Sequence, residues 1–376
     1  MKQQLNALFT LQLINTFASS LFSIFVPIYL LTLHYTVKQI MIYYIIWSVG
    51  VLFFFLLSGI ISKRSGLKIL MIARLPFLFA YLLMLYSLDK IAIPLSVIAL
   101  VDSIQVALYW FPFNVFFAQF SDKEKIGNDL GRLYALKQLL SIFAPILGGV
   151  IAKFFGFNIL YFIAIVIYIF SILPLLRISE FKSVITFSKD KLVELFKKFP
   201  KYFLVETFRD IGANAELSIW PIVIFLSFNN ILSVGNVGAL FSVGGIIFSF
   251  LIGKYTDKIN KKIFIYFGSI IFILVWIFRF YLHSEAAYYI LTVVAGFVAL
   301  LISIPLDAIF FSLAKKDNID EFIIVREIPL LVSRIIFFGT CFLVSTLANA
   351  FWLIIVSYIV LILIFFNKKP FYRQIL

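Results

Sequence analysis

The sequence predicts an all-α membrane protein: twelve transmembrane helices in two pseudo-symmetric six-helix bundles. Three observations carry that prediction. The first is composition. Of the 376 residues, 63% are hydrophobic and 13% charged, and the mean hydropathy is +1.08, far beyond what a soluble core needs. The second is an internal repeat. Pro27 matches Pro221 at an offset of 194 residues, and Gly50, Gly59 and Arg132 match Gly244, Gly253 and Arg326 at the same offset. The third is the placement of a net charge of +14. Nearly all of it falls in alternate loops, so it reads as a topology signal and not as a nucleic-acid surface.

A chain of this length holds about twelve spans of roughly 20 to 28 residues with short loops, and no extramembrane domain. The hydrophobic pattern places them at 6–33, 37–61, 67–88, 91–119, 129–154, 157–178, 202–228, 231–253, 262–282, 286–313, 322–346 and 348–367. The first span is too long and too weakly flanked to be a cleavable signal. Loops on one side hold Lys63, Arg64 and Lys68; Lys123, Lys125 and Arg132; Lys254, Lys258, Lys261 and Lys262; Lys315, Lys316 and Arg326. The opposite side holds only Lys38, Lys90 and Lys153. The basic side is therefore expected to be cytoplasmic, with both termini there and the chain integral to the cell membrane as a multi-pass protein. The expected units are 1–178, a first six-helix bundle; 179–201, a cytoplasmic linker; 202–367, a second bundle; and 368–376, a cytoplasmic tail. Within the linker, Leu192, Val193, Phe196 and Phe199 make an apolar stripe, read as an interfacial helix on the inner leaflet.

Taken in order, span one carries Gln12 and Asn15 where span seven carries Glu206 and Arg209. Span two ends in Gly59, Ile60, Ile61, Ser62, Lys63, Arg64, Ser65, Gly66; span eight ends in Gly253, Lys254, Tyr255, Thr256, Asp257, Lys258, Ile259, Asn260. Glycine allows close helix approach, and Gly66 and Asn260 are expected to supply a positive φ in the turns. Arg74 in span three and Arg279 in span nine are near span ends and are expected to snorkel. Span four holds Asp102 near the midplane, with no basic residue within four positions, followed by Gln105, Trp110 and Asn114. An isolated intramembrane acid is a candidate proton carrier. Pro112 and Asn114 match Pro305 and Asp307 in span ten at an offset of 193.

Span five has small residues at Gly131, Gly148 and Gly149, with Pro145, a pattern for close packing. Span seven is the most polar. At 100° per residue, Glu206, Arg209, Asp210, Asn214, Glu216 and Trp220 fall within about 160° and form one polar face. Arg209 is placed to pair with Glu206. Glu216 and Arg334 lie at similar depth in spans seven and eleven and are candidates for pairing across helices. Asp102, Glu216, Glu206, Asp210 and Asp307 are the candidate proton-coupling acids. Gln12, Asn15, Gln105, Trp110, Asn114, Arg209, Asn214, Trp220 and Arg334 are the candidate cavity residues.

The turns after spans two and eight resemble the cytoplasmic signature of the major facilitator superfamily: Gly, three residues, Asp, a basic residue, then Gly and a basic pair. The second copy keeps the acid as Asp257; the first has Lys63 in its place. The resemblance implies the fold of that superfamily (MFS), a cavity lined by spans one, four, seven and ten, and a conformational latch at these turns. Its members would be Gly59, Lys63, Arg64, Gly66, Gly253, Asp257, Lys258, Arg132, Arg326 and Glu327. Asp257 would face Arg132, and Lys63 would face Glu327 with the polarity reversed. Span five resembles the antiporter signature of drug-exporting members at Gly131, Pro145, Gly148 and Gly149, and departs from it at Leu140 and Ala144. Exporters carry an arginine where Asp102 stands, so a scheme needing that arginine does not transfer.

The function expected is alternating-access secondary transport, proton-coupled and exporting small organic solutes. The expected partners are that solute, protons and membrane lipids, for a monomer binding no nucleic acid. A proton-independent facilitator or importer of a small metabolite stays open, as does a polytopic enzyme or lipid scramblase. Against an enzyme, the sequence offers no His/Glu metal pair, glycine-rich phosphate loop or Cys/His pair. No metal and no cofactor is expected, and Cys341 is the single cysteine.

Overall fold

The computed structural model describes residues 2–122, 124–183, 189–256 and 260–366. Among these there are helices and no strand. The order is α1 (Lys2–Phe22), a 3₁₀ turn (Ser23–Phe25), α2 (Val26–Thr32), α3 (Val37–Ser65), α4 (Leu67–Ser87), α5 (Leu95–Phe120), α6 (Ile126–Phe155), α7 (Phe157–Ile169) and α8 (Ile172–Leu176). Then follow α9 (Lys189–Lys198), α10 (Pro200–Asn214), a π-helical turn (Ala215–Ile219), α11 (Trp220–Phe228), α12 (Ile231–Thr256), α13 (Lys261–Tyr281), α14 (Glu285–Lys316), α15 (Ile319–Leu343), a 3₁₀ turn (Leu347–Ala350) and α16 (Phe351–Phe366). Among the described residues, ten helical segments are long and apolar enough to cross a membrane on length and composition alone. Helix α12 runs from Ile231 to Thr256, and its sequence stays mostly apolar as far as Ile252. Helix α15 has the length, but Arg326, Glu327 and Arg334 interrupt its apolar run, so its burial relies on partners inside the protein. Asp257, Lys258 and the 368–376 tail lie outside the described residues.

Helix boundaries follow from local chemistry. Thr36 and Gln39 form a capping box that starts α3: the Gln39 N–H donates to Thr36 Oγ1 (3.3 Å) and the Thr36 N–H donates to Gln39 Oε1 (2.8 Å). Gly66 has φ +91° and turns α3 straight into α4, a conformation side chains resist. Asn260 corrects the matching expectation. Its φ is −59°, and its side chain instead accepts from the Lys262 N–H as the N-cap of α13. Asparagine serves such a turn by capping as readily as by adopting positive φ. The matched prolines Pro27 and Pro221 both stand in the first turn of a helix, directly after an irregular turn. Proline lacks the N–H that would continue the preceding ladder.

Packing repeats along with the sequence. In the first half α3 packs on α5, α4 on α5, α1 on α6 and α4 on α7. The second half has the corresponding pairs α12 on α14, α13 on α14, α10 on α15 and α13 on α16. The halves meet along α6–α12 and α3–α15, which are each other's counterparts in the repeat. The matched glycines Gly50 and Gly244 lie in these contacts. A methyl group at Gly50 would be 2.3 Å from Ser103 Oγ; one at its match, Gly244, would be 1.8 Å from the Val293 carbonyl oxygen. Gly148 approaches the Leu21 carbonyl, and Gly235 of α12 approaches the Pro145 carbonyl of α6 across the halves.

The linker helix α9 lies against the protein. Leu195 and Phe199 are buried, Leu192 and Phe196 are half-buried and Val193 is exposed. Phe199 meets Phe322 of α15 edge-on at 5.5 Å, and Phe196 meets Phe203 of α10 at 4.6 Å. Lys191 and Lys198 pair with Glu321 (2.8 Å) and Asp317 (2.6 Å). The stripe thus uses Leu195 in place of Val193 and covers the ends of α10 and α15.

Candidate functional site

A cavity of about 690 Å³ lies between the halves. Its walls come from α1 (Gln12, Asn15), α4 (Arg74), α5 (Asp102, Gln105, Trp110), α6 (Lys137), α10 (Arg209, Asn214) and the stretch from Glu216 to Trp220. Cross-half contacts flank it on both sides. Toward the end bearing the basic loops, Phe117 of α5 meets Phe311 of α14 at 4.6 Å, and Lys315 Nζ donates to the Ser121 carbonyl. Toward the other end, Tyr44 of α3 stacks on Phe338 of α15 at 4.7 Å.

The first-half wall is one hydrogen-bonded chain. Arg74 donates through Nη1 to Asn15 Oδ1 (2.6 Å) and through Nε to Gln105 Oε1 (3.0 Å). Gln105 Nε2 donates to Asp102 Oδ1 (2.6 Å). Beside it, the Tyr109 hydroxyl donates to Gln12 Oε1 (2.5 Å). The Arg74 guanidinium lies 4.2 Å from the centre of the Tyr109 ring. Arg74 therefore does not snorkel. It begins the third turn of α4, roughly 10 Å along the axis, and there its side chain finds amide acceptors and aromatic faces inside the protein. Asp102 is likewise not isolated: one glutamine separates it from Arg74.

The second half is held by ion pairs. Fully buried Glu206 accepts from Arg209 Nη2 (3.0 Å) and Arg326 Nε (2.9 Å). Arg326 Nη2 also donates to Asp307 Oδ1 (3.1 Å), and Asp307 Oδ2 accepts from the hydroxyl of Tyr134 on α6 (2.6 Å). That last bond ties the cluster to the first half. Arg334 lies 3.5 Å from Asp210 and 3.6 Å from Glu327. Arg279 Nη1 donates to Glu216 Oε1 (2.5 Å), and its guanidinium lies 3.8 Å from the centre of the Trp220 ring. The Trp220 indole N–H donates to Thr292 Oγ1 (3.0 Å). Glu216 is thus the partner of Arg279 and not of Arg334, and Arg279 is wholly buried instead of snorkelling.

The single polar face expected for span seven is split. The π-helical turn at Ala215–Ile219 takes more residues per turn than an α-helix, so a constant 100° step fails there. Glu206 and Asp210 turn toward α15, Glu216 toward α13, while Arg209, Asn214, Glu216 and Trp220 reach the cavity. Glu206, Asp210, Asp307, Asn114 and Arg334 stand outside its walls.

At the signature turn, Lys63 and Arg64 are exposed. Glu327 is directed to Arg334, so the Lys63–Glu327 pairing is not made, and Arg326 belongs to the buried cluster and not to a surface latch. Arg132 is exposed on α6; its expected partner Asp257 lies outside the described residues. Gly131 is buried, and Gly59 is buried in α3. Sequence reasoning missed Glu180. Its carboxylate accepts from the Lys68 N–H (2.9 Å) at the start of α4 and sits where a methyl on Gly66 would fall. The available signal was an acid just past span six, in a stretch otherwise rich in lysine and arginine. At the first signature turn, which has Lys63 in place of the acid, Glu180 supplies a carboxylate from the linker.

The family model for the Major Facilitator Superfamily matches residues 8–233, more than half of the chain. The chain belongs to the major facilitator superfamily. The fold agrees: a solved structure described as the human organic anion transporter MFSD10 (TETRAN) superposes with a TM-score of 0.69. The match covers 97% of this chain and 98% of that one at 12% identity. No curated protein sequence matches the chain. Membership supports membrane transport by a multi-pass protein and points away from an enzyme. In this superfamily member the cavity walls divide by chemistry: amide and carboxylate groups around Arg74, with Lys137 apart from them, in the first half, and ion pairs in the second. Hydrogen-bonded amides and weakly tied acids can exchange partners with a solute or a proton. A closed ion pair such as Glu216–Arg279 resists such exchange, since opening it leaves buried charge.

Proposed function

We propose a secondary transporter that works by alternating access, with proton-coupled export of small organic solutes. In this reading α12 and α15 complete twelve membrane-spanning helices, with the chain a monomer in the cell membrane. Residues 1–178 and 202–367 form the two rocking bundles, with 179–201 joining them and the basic end and both termini in the cytoplasm. The reading is supported by a cavity between the halves whose acid, Asp102, bonds to a neutral amide, while the cavity's other acid, Glu216, is committed to Arg279. Asp102 is therefore the proposed proton carrier. Protonating it removes the anion from the Asp102–Gln105–Arg74 chain and so changes the relative free energy of the two facing states, which coupling requires. Export rests on the antiporter-like residues Gly131, Pro145, Gly148 and Gly149, of which Pro145 and Gly148 are in close helix contacts.

The test is transport in proteoliposomes by Asp102→Asn. Accumulation driven by a pH gradient is expected to vanish, leaving only downhill equilibration and counterflow. Driven accumulation at the unmodified level would remove Asp102 from the mechanism. The tie from Asp102 to Arg74 also favours a second reading, a proton-independent facilitator in which Asp102 only holds Arg74 in place. In that case the unmodified protein would show counterflow indifferent to the pH gradient.

A further inference from the structure

The charges of Arg74, Arg209, Arg279, Arg326 and Arg334 are each answered within the protein. Arg209, Arg326, Arg279 and Arg334 each have a carboxylate within 4 Å, and Arg74 has two amide oxygens. Lys137 differs. It lies on α6 in the cavity wall, where the ring centres of Trp110 and Tyr134 are 5.7 Å and 5.2 Å from its ammonium. Among the described residues no carboxylate comes within 4 Å of it and no acceptor bonds to it. Asp307, the acid beyond Tyr134, is already bonded to Arg326 and to the Tyr134 hydroxyl.

Lys137 is half-buried in that wall, and a cation partly withdrawn from water without a counter-charge is unfavourable, which aromatic faces offset only in part. From this we infer that Lys137 is the anchor for the negative group of an anionic organic solute, a carboxylate or sulfonate carried on an aromatic or apolar body. The inference rests on the transporter reading above. Lysine offers a compact charge with freely rotating donors, which suits a single anionic oxygen and not a bidentate clamp. Trp110 and Tyr134 beside it supply apolar surface for the body of the solute, and a volume of about 690 Å³ suits a solute of that kind.

The test uses three compounds with one ring system and different charge: 2-naphthoate, 2-naphthamide and 2-naphthylmethylammonium. Thermal stabilisation of the purified protein in nanodiscs reads binding, and proteoliposome flux reads transport. Naphthoate is expected to stabilise the unmodified protein more than the other two. Lys137→Gln should bind naphthoate about tenfold more weakly, the order expected for a lost charge-assisted hydrogen bond, and should lose the preference for the anion. Lys137→Arg should keep that preference. Equal stabilisation by all three, no stabilisation by naphthoate, or an anion preference surviving in Lys137→Gln would overturn the inference. Flux separates it from the transporter reading. Naphthoate that binds through Lys137 but is never moved, with no flux of the other two, counts against transport alone. Flux of the amide or the amine without naphthoate binding counts against the anion site alone.

Discussion

Arg279→Leu is expected to destabilise the protein by about 3 to 5 kcal/mol, the range for removing one partner of a buried ion pair. The reason is geometric. Arg279 is wholly buried, its guanidinium is bonded to Glu216 at 2.5 Å, and it lies against Trp220 and Trp276. Without it, the largely buried Glu216 carboxylate in the cavity wall loses its counter-charge, and the cation–π contacts go too. The double variant Glu216→Gln, Arg279→Leu should recover most of the loss, since no charge then remains to be compensated. Thermal unfolding in detergent measures both. A single variant as stable as the parent, or a double variant no better than the single, would show that the pair does not hold α13 to the 215–219 turn.

The second large effect is steric. Gly296→Val should unfold the α12–α14 contact or prevent the protein from accumulating, because even a Cβ at Gly296 would lie 1.8 Å from the Phe241 carbonyl oxygen. The neighbour is backbone and cannot rotate aside, so the helices must separate along their length. Overpacking of a few carbons costs about 1 to 3 kcal/mol where side chains can adjust, and this site lies at or beyond the upper end. Gly244 faces the Val293 carbonyl in the same pair at the same 1.8 Å, so Gly244→Val should match it. Gly339, where an added Cβ would meet nothing within 4 Å beyond its own stretch of helix, is the control, and Gly339→Val should leave the unfolding temperature near that of the parent.

Much of this fold was legible in the chain because its causes are local or periodic. Composition demanded membrane helices, and the repeat paired Gly50 with Gly244, both of which prove to be close-contact glycines. Pro27 and Pro221 marked breaks in spans one and seven. The site was less legible, for two physical reasons. Arginine near a helix end can reach headgroups or turn inward, and nothing within four residues decides between them. Arg74 turned inward because Asn15 and Gln105, 59 and 31 residues away, offer it acceptors. Arg279 did so because Glu216 lies 63 residues away. The other reason is winding. A helical wheel assumes one angular step throughout, so it placed Glu206, Asp210 and Glu216 on one face, whereas Glu206 and Asp210 face α15 and Glu216, inside the wide turn after Asn214, faces α13. Lys63 shows the limit of reading a signature by position, since the carboxylate at that turn arrives from Glu180.

The two irregular turns before Pro27 and Pro221 fall at equivalent places but depart from the α-helix in opposite senses. Ser23–Phe25 is overwound as 3₁₀, and Ala215–Ile219 is underwound as a π turn. Beyond them, equal residue numbers no longer mean equal azimuth, so knowledge gained in one half cannot be transferred to the other by adding 194. A symmetrised chimera built by duplicating either half would inherit one sense of winding twice. It would keep the sequence register while rotating a whole wall of its central chamber, so a designer would have to graft the turn together with the residues it aims.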